Sequence, residues 1–543
     1  MNKKRNITLS VCAIALSICI CLGITYALWT QTFTQTNSNK LASGCFEIVF
    51  SDGDAINLSN AYPITDTDAS NLPSYDVTIK NTCTVGAKYA IRIETLNTTT
   101  MNKNFIKASI DNKNIQILTA MDRVNPEISN ATDAYVLYMG ILNAGSEITH
   151  SIREWIDYSA TTSDIPNNSR LDSRITIDMN ATSEVGPSNL NDAILAQYGG
   201  KDAIEALSNP DFSKIAVSQS AYDELPSTAS GNNPSKSNAL VENGLYAMTD
   251  DYGMSYYYRG SRELLNNNLI FAEHQWKIVR INGDGSMRLF YNAPCPNNDC
   301  EIKNGQLYTA INSGTRYRYN LQQNDAKYVG YMYGGAAGTA STNREQAIVN
   351  ETNSNAKVAI DTWYEENIKN TEYEGYLVDT LFCNDRQLGR DYSGAPQSGM
   401  GYGTDSGYGY KQTYYAAFYR LRTNKIPTLL CAQQNDRFTV NDVSKGNGAL
   451  TYPIGLITAD EMALAGAVNG VQNNTHYLYD GTFGSWTMTP VKMMDYSGIW
   501  IADTALADSN NTTNTIMIRT VINLKNGIMV TGSGSATDPF IVV

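Results

Sequence analysis

The sequence predicts a multidomain chain: an N-terminal membrane helix or signal, then an antiparallel β-sandwich of the immunoglobulin-like type, then an α+β domain. Three observations predict this fold class. An apolar run follows basic residues at the N-terminus, period-two patterns come next, and hairpin and helix patterns fill the rest of the 543 residues. The predicted boundaries are residues 1–29 for the signal or anchor, 30–185 for the sandwich, 186–240 for a short helix and linker, and 241–543 for the α+β domain.

The N-terminal segment predicts export. Lys3, Lys4 and Arg5 precede an apolar run, residues 7–29, that contains no charged residue. Basic residues before such a run hold the N-terminus in the cytoplasm, and about 20 apolar residues are enough to span a membrane. Cleavage near Ala27 is the alternative to a retained anchor. We therefore expect the bulk of the chain outside the cell, either anchored in the cell membrane through this helix or secreted.

Charge and motifs exclude several function classes. The net charge of -13 argues against nucleic-acid binding, which usually needs a basic face. The sequence contains no P-loop, no H-E-x-x-H and no G-x-S-x-G motif, and its three histidines are scattered. The sequence therefore predicts no cofactor, no metal site and no catalytic residue.

The cysteines predict disulfides. Six of them lie outside the apolar run, and an even number in an oxidising compartment favours three bridges. Unpaired buried thiols are the alternative. Proximity along the chain favours the pairs Cys45–Cys83, Cys295–Cys300 and Cys383–Cys431.

The sandwich prediction depends on alternation of apolar and polar residues. Tyr75, Val77 and Ile79 alternate with polar residues, and Tyr89, Ile91 and Ile93 repeat the pattern. Short strands with period-two patterning and polar turns are typical of an antiparallel sandwich. The predicted strands are residues 46–50, 75–80, 89–93, 106–110, 115–118, 135–142, 148–152 and 175–179.

A connector is predicted between the two domains. Leu190, Ile194, Leu195 and Tyr198 indicate a short helix that the following pair of glycines ends. Residues 225–238 are rich in Ser, Asn and Pro, which is typical of a linker.

The α+β domain combines a hairpin, helices and late strands. Residues 276–281 and 287–291 flank a polar, glycine-containing turn, which predicts a hairpin. Thr458 and Glu461 have the spacing of a capping box, which predicts a helix start. A second helix is predicted at residues 356–368, with Val358, Ile360, Trp363 and Tyr364 on its apolar face. Strands are predicted at residues 486–488, 499–502, 517–524, 527–530 and 540–543.

Two regions predict ligand binding. The Gly/Tyr-rich segment 392–415 contains Tyr402, Tyr408 and Tyr410, and tyrosine offers a large amphipathic contact area at low entropic cost. A loop that packs on its own rings is an equal alternative. In the second region Tyr496, Trp500 and Asp503 are candidates for stacking on a sugar or anchoring a protein partner, although burial of Trp500 is favoured over a ligand-facing position.

The second domain resembles known proteins. Residues 276–291 (WKIVRINGDGSMRLFY), 450–461 (LTYPIGLITADE) and 518–525 (IRTVINLK) resemble a group of uncharacterised surface proteins of Gram-positive, clostridia-like bacteria. Through Trp486 and the late strand with Arg519, that group is similar to the C-type-lectin-like fold of formylglycine-generating enzymes and of variable proteins of diversity-generating retroelements. This resemblance implies a C-type-lectin-like fold for residues 241–543.

The first domain resembles camelysin-like and biofilm-matrix exported proteins, through residues 23–27 (GITYA) and the sandwich that follows. This resemblance implies a surface or fibre role.

Three functions are compatible with these observations. The first is a cell-surface display or adhesion protein, not an enzyme, whose C-terminal loops bind a glycan or protein ligand on a surface. The second is a structural subunit of a biofilm matrix or filament. The third, implied by the resemblance, is a copper-dependent oxidase of the formylglycine-generating type with Cys383 and Cys431 as its thiols.

Overall fold

The computed structural model describes most of the chain and divides it into two compact units, Met1–Pro187 and Ser188–Val543. We refer to them as unit 1 and unit 2. Within the described residues, no helix is long and apolar enough to span a membrane. The predicted N-terminal helix, residues 1–29, lies outside the described part of the chain. The described ranges are 46–50, 62–82, 86–126, 129–166, 168–182, 186–303, 308–391, 393–395, 413–479 and 484–543.

The described part of unit 1 is built almost entirely from antiparallel strands. One short helix, α1 (Asp66–Ala69), begins at Thr65, whose hydroxyl accepts a hydrogen bond from the Asp68 N–H. Two turns of 3₁₀-helix occur at Lys103–Phe105 and Leu118–Ala120. The strands are β1 (Phe46–Phe50), β2 (Tyr75–Asn81), β3 (Gly86–Leu96), β4 (Ile106–Ile110), β5 (Lys113–Ile117), β6 (Arg123–Val124), β7 (Ala131–Leu142), β8 (Glu147–Ile156) and β9 (Ser173–Thr182).

The strands of unit 1 form two sheets that share one core. The first sheet has the order β1-β2-β8-β4-β5 and the second has the order β6-β7-β3-β9. Val77 and Ile152 from the first sheet belong to the same buried cluster as Ile91 and Ile177 from the second. This is the architecture of a β-sandwich, in which inward-facing side chains of both sheets build the core.

Alternation along the strands explains why unit 1 folds this way. In β2, Tyr75, Val77 and Ile79 are buried while the residues between them are partly exposed. Thr78, on the outer face, hydrogen-bonds across to Thr149 of β8 at 2.7 Å. A one-residue slip would move every apolar side chain of β2 to solvent, so the alternation also sets the strand register.

Unit 2 begins at Ser188, within the region predicted as a connector. The predicted helix is present as α2 (Leu190–Gln197), with Asn189 as its N-cap and Leu190, Ile194 and Leu195 buried. The structure differs from a free linker farther on, because Ile215–Val217 pairs in parallel with Ala239–Val241 and both strands contribute to a buried cluster. The polar composition of residues 225–238 reflects the loop between these two strands.

Unit 2 contains the remaining strands and helices. The strands are β10 (Ser188–Asn189), β11 (Ile215–Val217), β12 (Ala239–Val241), β13 (Gly244–Asp250), β14 (Gly253–Arg259), β15 (Asn268–Phe271), β16 (His274–Ile281), β17 (Met287–Pro294), β18 (Arg316–Arg318), β19 (Met332–Tyr333), β20 (Thr352–Asn353), β21 (Phe382–Cys383), β22 (Thr413–Tyr414), β23 (Arg437–Phe438), β24 (Ile454–Leu456), β25 (Ser485–Met493), β26 (Ser497–Ala502), β27 (Leu506–Asn511), β28 (Thr515–Met517), β29 (Thr520–Leu524), β30 (Met529–Thr531) and β31 (Phe540–Val542). The α-helices and helical turns that follow α2 are α3 (Lys201–Glu205), α4 (Gln219–Glu224), α5 (Ile311–Gly314), α6 (Arg344–Ala347), α7 (Asn355–Asn367), α8 (Ala416–Tyr419) and α9 (Ala459–Ala465).

Turns of 3₁₀-helix and one π-helical turn complete unit 2. The π-helical turn is Arg420–Asn424, directly after α8. The 3₁₀ turns are Pro296–Asn298, Ala326–Val329, Glu372–Tyr376 and Gln434–Asp436.

Two large sheets organise unit 2. The first runs β10-β30-β31-β15-β16-β17-β29-β24, with the β13–β14 hairpin attached to β16, and the second runs β18-β28-β25-β26-β27, with β22 attached to β25. The predicted hairpin is present as β16 and β17, which pair from His274–Pro294 to Ile281–Met287. Both sheets contribute to one large core, which contains Trp276, Trp363, Trp486 and Trp500.

The helix predictions for unit 2 hold with one correction. Thr458 and Glu461 form the predicted capping box at the start of α9. In α7, Ile360, Trp363 and Tyr364 are buried as predicted, whereas Val358 is 49% exposed and does not belong to the apolar face. Val358 lies on the opposite side of the helix because it is two residues from Ile360, and a spacing of two turns the side chain away.

Candidate functional site

An open groove of about 620 Å³ lies beside β13 in unit 2. Tyr246 and Met248 of β13 and Met254 of β14 line it from the hairpin. One wall is formed by residues 207–210 after α3, and the other by residues 426–430 after the π-helical turn. We refer to this feature as the β13 groove.

The walls of the β13 groove present apolar side chains to solvent. Leu207 is 53% exposed, Ile426 is 62% exposed and Leu430 is 52% exposed, and Met254 at 42% continues the same surface. Single exposed apolar residues are normal on a protein surface, but a contiguous group around a concavity is typical of an interaction site. The arrangement therefore marks this groove as the candidate binding site of unit 2.

Hydrogen bonds of Asp250 fix the hairpin beside the groove. Its Oδ1 accepts from the N–H groups of Tyr252 at 2.8 Å and Gly253 at 3.0 Å, which closes the turn between β13 and β14. Its Oδ2 accepts from Arg280 Nη1 at 2.6 Å. The turn is thereby tied to β16 of the large sheet, so β13 is held on a rigid support.

Arg420 lies at the base of the groove, on the π-helical turn. Its Nη2 contacts Asp385 Oδ2 at 2.7 Å and Asp460 Oδ2 at 2.6 Å. Burial lowers the pKa of Arg420, but Asp460 and Asp385 more than offset that effect, so the net shift is upward and the guanidinium stays charged. Asp460 also accepts from the Thr428 N–H at 3.0 Å, which attaches the second wall. π-Helical turns occur frequently at functional sites.

A second charged group lies beneath the first. Glu461 Oε1 contacts Arg288 Nε at 2.5 Å and Arg280 Nε at 3.2 Å, and all three side chains are buried. Burial alone would raise the pKa of Glu461, but Arg288 and Arg280 overcome this and lower it, so the carboxylate remains ionised. A small cavity of about 30 Å³ between these charges shares Arg420 and Thr428 with the groove.

The disulfide Cys383–Cys431 links β21 to the end of the second wall of the groove. The Cys431 N–H donates to Asp251 Oδ2 at 2.8 Å, and Arg437 Nη2 donates to the Cys431 carbonyl at 2.7 Å. The disulfide Cys295–Cys300 is also present. Of the three predicted pairs, Cys45–Cys83 lies outside the described residues.

The predicted ligand-binding residues lie elsewhere. Tyr402, Tyr408 and Tyr410 are outside the described residues. Trp500 is fully buried, so its assignment as a ligand-binding residue is corrected: all six residues of β26 are buried, and its ring belongs to the core. A core role for Trp500 is the alternative that the usual burial of tryptophan favours, and the structure agrees with it.

Tyr496 and Asp503 are both partly exposed, and burial raises the pKa of Asp503. They flank opposite ends of β26, which places them about 20 Å apart at the usual rise of a strand. Together they do not form a site for one small ligand. Each stays a prediction as a separate contact with a larger partner.

Unit 1 contains a series of three hydrogen-bonded side chains that the sequence did not predict. His150 Nε2 hydrogen-bonds the Tyr89 hydroxyl and its Nδ1 contacts Asp111, both at 2.7 Å. Such an order of acid, histidine and hydroxyl resembles a nucleophile with its base. Burial raises the pKa of Tyr89, however, so the hydroxyl stays protonated. Tyr89 and His150 are only 4% and 2% exposed, which favours a structural role.

Across the described ranges, no cluster of three His, Cys, Asp or Glu side chains is arranged to hold a metal ion. The carboxylates below the β13 groove, Asp385, Asp460 and Glu461, are instead matched to arginines. Their chemistry is that of a rigid, charge-neutralised support.

Comparison with known proteins adds little. No protein-family model matches the chain, and no curated protein matches it. Among solved structures, one match is described as "AvmM Catalyzes Macrocyclization in Alchivemycin A Biosynthesis", with a TM-score of 0.16 and 13% identity over 27% of this chain and 92% of that one. Similarity at that level carries no argument about fold or function.

Proposed function

We propose that this chain is an exported display or adhesion protein whose unit 2 binds a protein or glycan ligand non-covalently in the β13 groove. One observation carries the proposal: an open concavity of about 620 Å³ with exposed apolar walls on a support of buried ion pairs. A preformed concave site with an apolar lining and a few polar groups is typical of ligand binding.

Binding is favoured over catalysis by the state of the groups around the groove. Arg420, Arg288 and Glu461 are paired with opposite charges, so none is a free acid or base. An oxidase of the formylglycine-generating type would need Cys383 and Cys431 as thiols, whereas here they form a disulfide. These contacts support a binding role, and the C-type-lectin-like resemblance of residues 241–543 remains part of the proposal.

Display outside the cell is supported by the two disulfides, because such bonds persist in oxidising compartments. Residues 1–29 would then serve as export signal or anchor, as their apolar run predicts. In this arrangement unit 1 is the sandwich module that accompanies the binding unit on the surface.

The test uses the full chain exported by a Gram-positive host. Leu430→Asp and Ile426→Asp place a charge on exposed wall positions and should preserve folding. Leu264→Asp, at a position 55% exposed that does not line the groove, is the matched control. We expect both wall variants to lose binding to protein or glycan arrays and to surface extracts, while the control binds normally.

Equal binding by all three variants would refute the groove as the site. Failure of the unaltered chain to bind any of these materials would refute the binding function itself.

A further inference from the structure

The β13 groove lies along an open strand edge. Among the described residues β13 pairs with β14 and with no other strand. Helix α3 contacts β13 through the core, since Ile204 and Leu245 belong to the same buried cluster, and therefore covers a face of the strand. An edge strand presents unpaired N–H and C=O groups, which another chain can use for hydrogen bonding.

The position of the second wall defines the space in which another chain could pair with β13. Leu429 forms one isolated parallel bridge with Asp250, at the end of β13. Within the described part of unit 2 no further pairing links residues 426–428 to β13, and the groove lies between these two segments. The groove therefore opens away from the bridge as a slot whose one side is a strand edge.

Side chains of β13 offer contacts on both faces of an added strand. Tyr246 and Met248 are on one face and pack toward Leu429 and Leu464, while Thr249 is exposed on the other. Successive side chains of an added strand also point to opposite faces, so alternate apolar residues would meet Met248 and the walls. Aliphatic walls of this kind favour peptide side chains over sugar hydroxyls, which would lose their hydrogen bonds to water there.

The charges around the slot select a basic partner. Arg420, the cation at its base, is already matched by Asp385 and Asp460. Glu205, the other charged residue that lines the groove, is exposed and forms no ion pair with another described residue. Glu205 is oriented by the Tyr256 hydroxyl, which donates to it at 2.6 Å. Among the residues that line the slot, the one charge without an ion-pair partner is therefore the carboxylate of Glu205.

From these observations we infer that the β13 groove binds an extended, basic segment of a partner protein, which adds as a strand to the edge of β13. Its alternate apolar side chains contact Met248 and the walls, and a flanking Lys or Arg pairs with Glu205. This inference rests on the proposed function and names its ligand class. A second copy of this acidic chain is disfavoured, because like charges oppose each other in a shared interface.

The test measures binding of a defined probe to the full chain at low ionic strength by fluorescence anisotropy. The probe is the short peptide acetyl-Lys-Val-Thr-Val-Thr-Val-Lys-amide with a fluorophore, and its match has Glu in place of both Lys. We expect the basic peptide to bind at least about tenfold more tightly than the acidic one. Glu205→Gln should reduce this preference, whereas Leu264→Asp should leave it unchanged.

Backbone methylation tests the strand pairing directly. Two further peptides carry N-methyl groups on either the Val or the Thr residues, which block opposite edges of the extended peptide. One set should weaken binding at least about tenfold and the other should not, because only one edge pairs with β13. Equal affinity of both methylated peptides, or unchanged binding to Leu430→Asp, would overturn the inference.

Other outcomes separate this inference from the proposed function. If no peptide binds but Leu430→Asp still abolishes binding to glycans or surface extracts, the groove is a site and strand addition is refuted. If sedimentation shows that the chain dimerises and Leu430→Asp prevents it, the occupant is a second copy and the inference is again overturned.

Discussion

Units 1 and 2 are both β-rich, but they bury their strands in different ways. In unit 1, β2 alternates between buried and partly exposed residues along its whole length. In unit 2, all eight residues of β16 are buried, including Lys277 and Arg280. A strand covered on one face shows its period in the sequence, whereas a strand covered on both faces must find partners for its polar residues inside the protein.

The difference extends to charge pairs. Lys80 and Glu147 of unit 1 pair across two strands at 4.0 Å, with side chains 44% and 63% exposed. Arg288 and Glu461 of unit 2 pair at 2.5 Å with side chains 1% and 2% exposed. Ion pairs in solvent contribute little, whereas a buried charge that loses its partner is costly. The Arg288–Glu461 pair of unit 2 therefore contributes far more to stability than the Lys80–Glu147 pair of unit 1.

The largest expected effect comes from breaking the buried network. Glu461→Gln leaves Arg288 without its anion and removes one of the two carboxylates that contact Arg280, so it should destabilise unit 2 by about 3–5 kcal/mol. Region-resolved hydrogen exchange during urea unfolding measures this effect in each unit. The matched control, Lys80→Ala, should cost no more than about 1 kcal/mol in unit 1. Similar losses from the two substitutions would remove the contrast between the buried pair and the exposed pair.

Removal of each disulfide tests how much the bond at the second wall of the groove stabilises the protein. Cys383 and Cys431 are 48 residues apart, and Cys295 and Cys300 are five apart. Without a disulfide the unfolded chain regains the entropy of an open loop. Replacement of both cysteines by serine should therefore destabilise the protein by about 4 kcal/mol for Cys383–Cys431 and by about 2 kcal/mol for Cys295–Cys300. Thermal unfolding under equal conditions compares the two variants. An equal or reversed order would contradict the role assigned to the longer loop.

The pH dependence of stability should have opposite sign at two buried groups. Burial raises the pKa of Glu154 in unit 1 to about 7, although Ser173 opposes this with a hydrogen bond. The stabilising contribution of Glu154 is fully present below about pH 4.5, its unfolded pKa, and is lost as the pH rises through about 7. In unit 2, burial lowers the pKa of His476 to about 3. Its contribution is present above about pH 6.5 and is lost as the pH falls toward 3.

Hydrogen exchange at pH 5 and pH 8 measures how the stability of each unit changes with pH in the same protein. We expect Glu154→Gln to remove the loss of stability that unit 1 shows at pH 8, and His476→Gln to reduce the loss that unit 2 shows at pH 5. If the stability of a unit changes with pH in the variant as it does in the unaltered chain, the substituted group does not titrate as its burial predicts.

Local signals predicted local structure well in both units. The alternation of β2, the hairpin of β16 and β17, and the capping box of Thr458 and Glu461 are all present. Each depends on residues close together in the chain, so short-range geometry is sufficient to predict it. The placement of Val358 on the apolar helix face and the choice of Trp500 as a ligand-binding candidate were wrong. The exposure of each side chain depends on which distant elements cover it.

The candidate groove had no signal in the sequence. Its walls come from residues 207–210 and 426–430, and its floor comes from β13 and β14. None of these segments has a recognisable motif, and exposed Leu207, Ile426 and Leu430 have the composition of ordinary core residues. Only their convergence distinguishes them, and convergence depends on the tertiary fold.

By itself, the sequence determined the β-rich, multidomain character of the chain, the alternating strands of unit 1 and the start of α9, because period and caps are properties of neighbouring residues. The tertiary structure alone decided which apolar residues remain exposed, that Trp500 is core, and that Arg420 meets Asp385 and Asp460. Those outcomes require residues far apart in the chain to meet, and the free energy of burying or pairing a side chain is determined by what surrounds it in space.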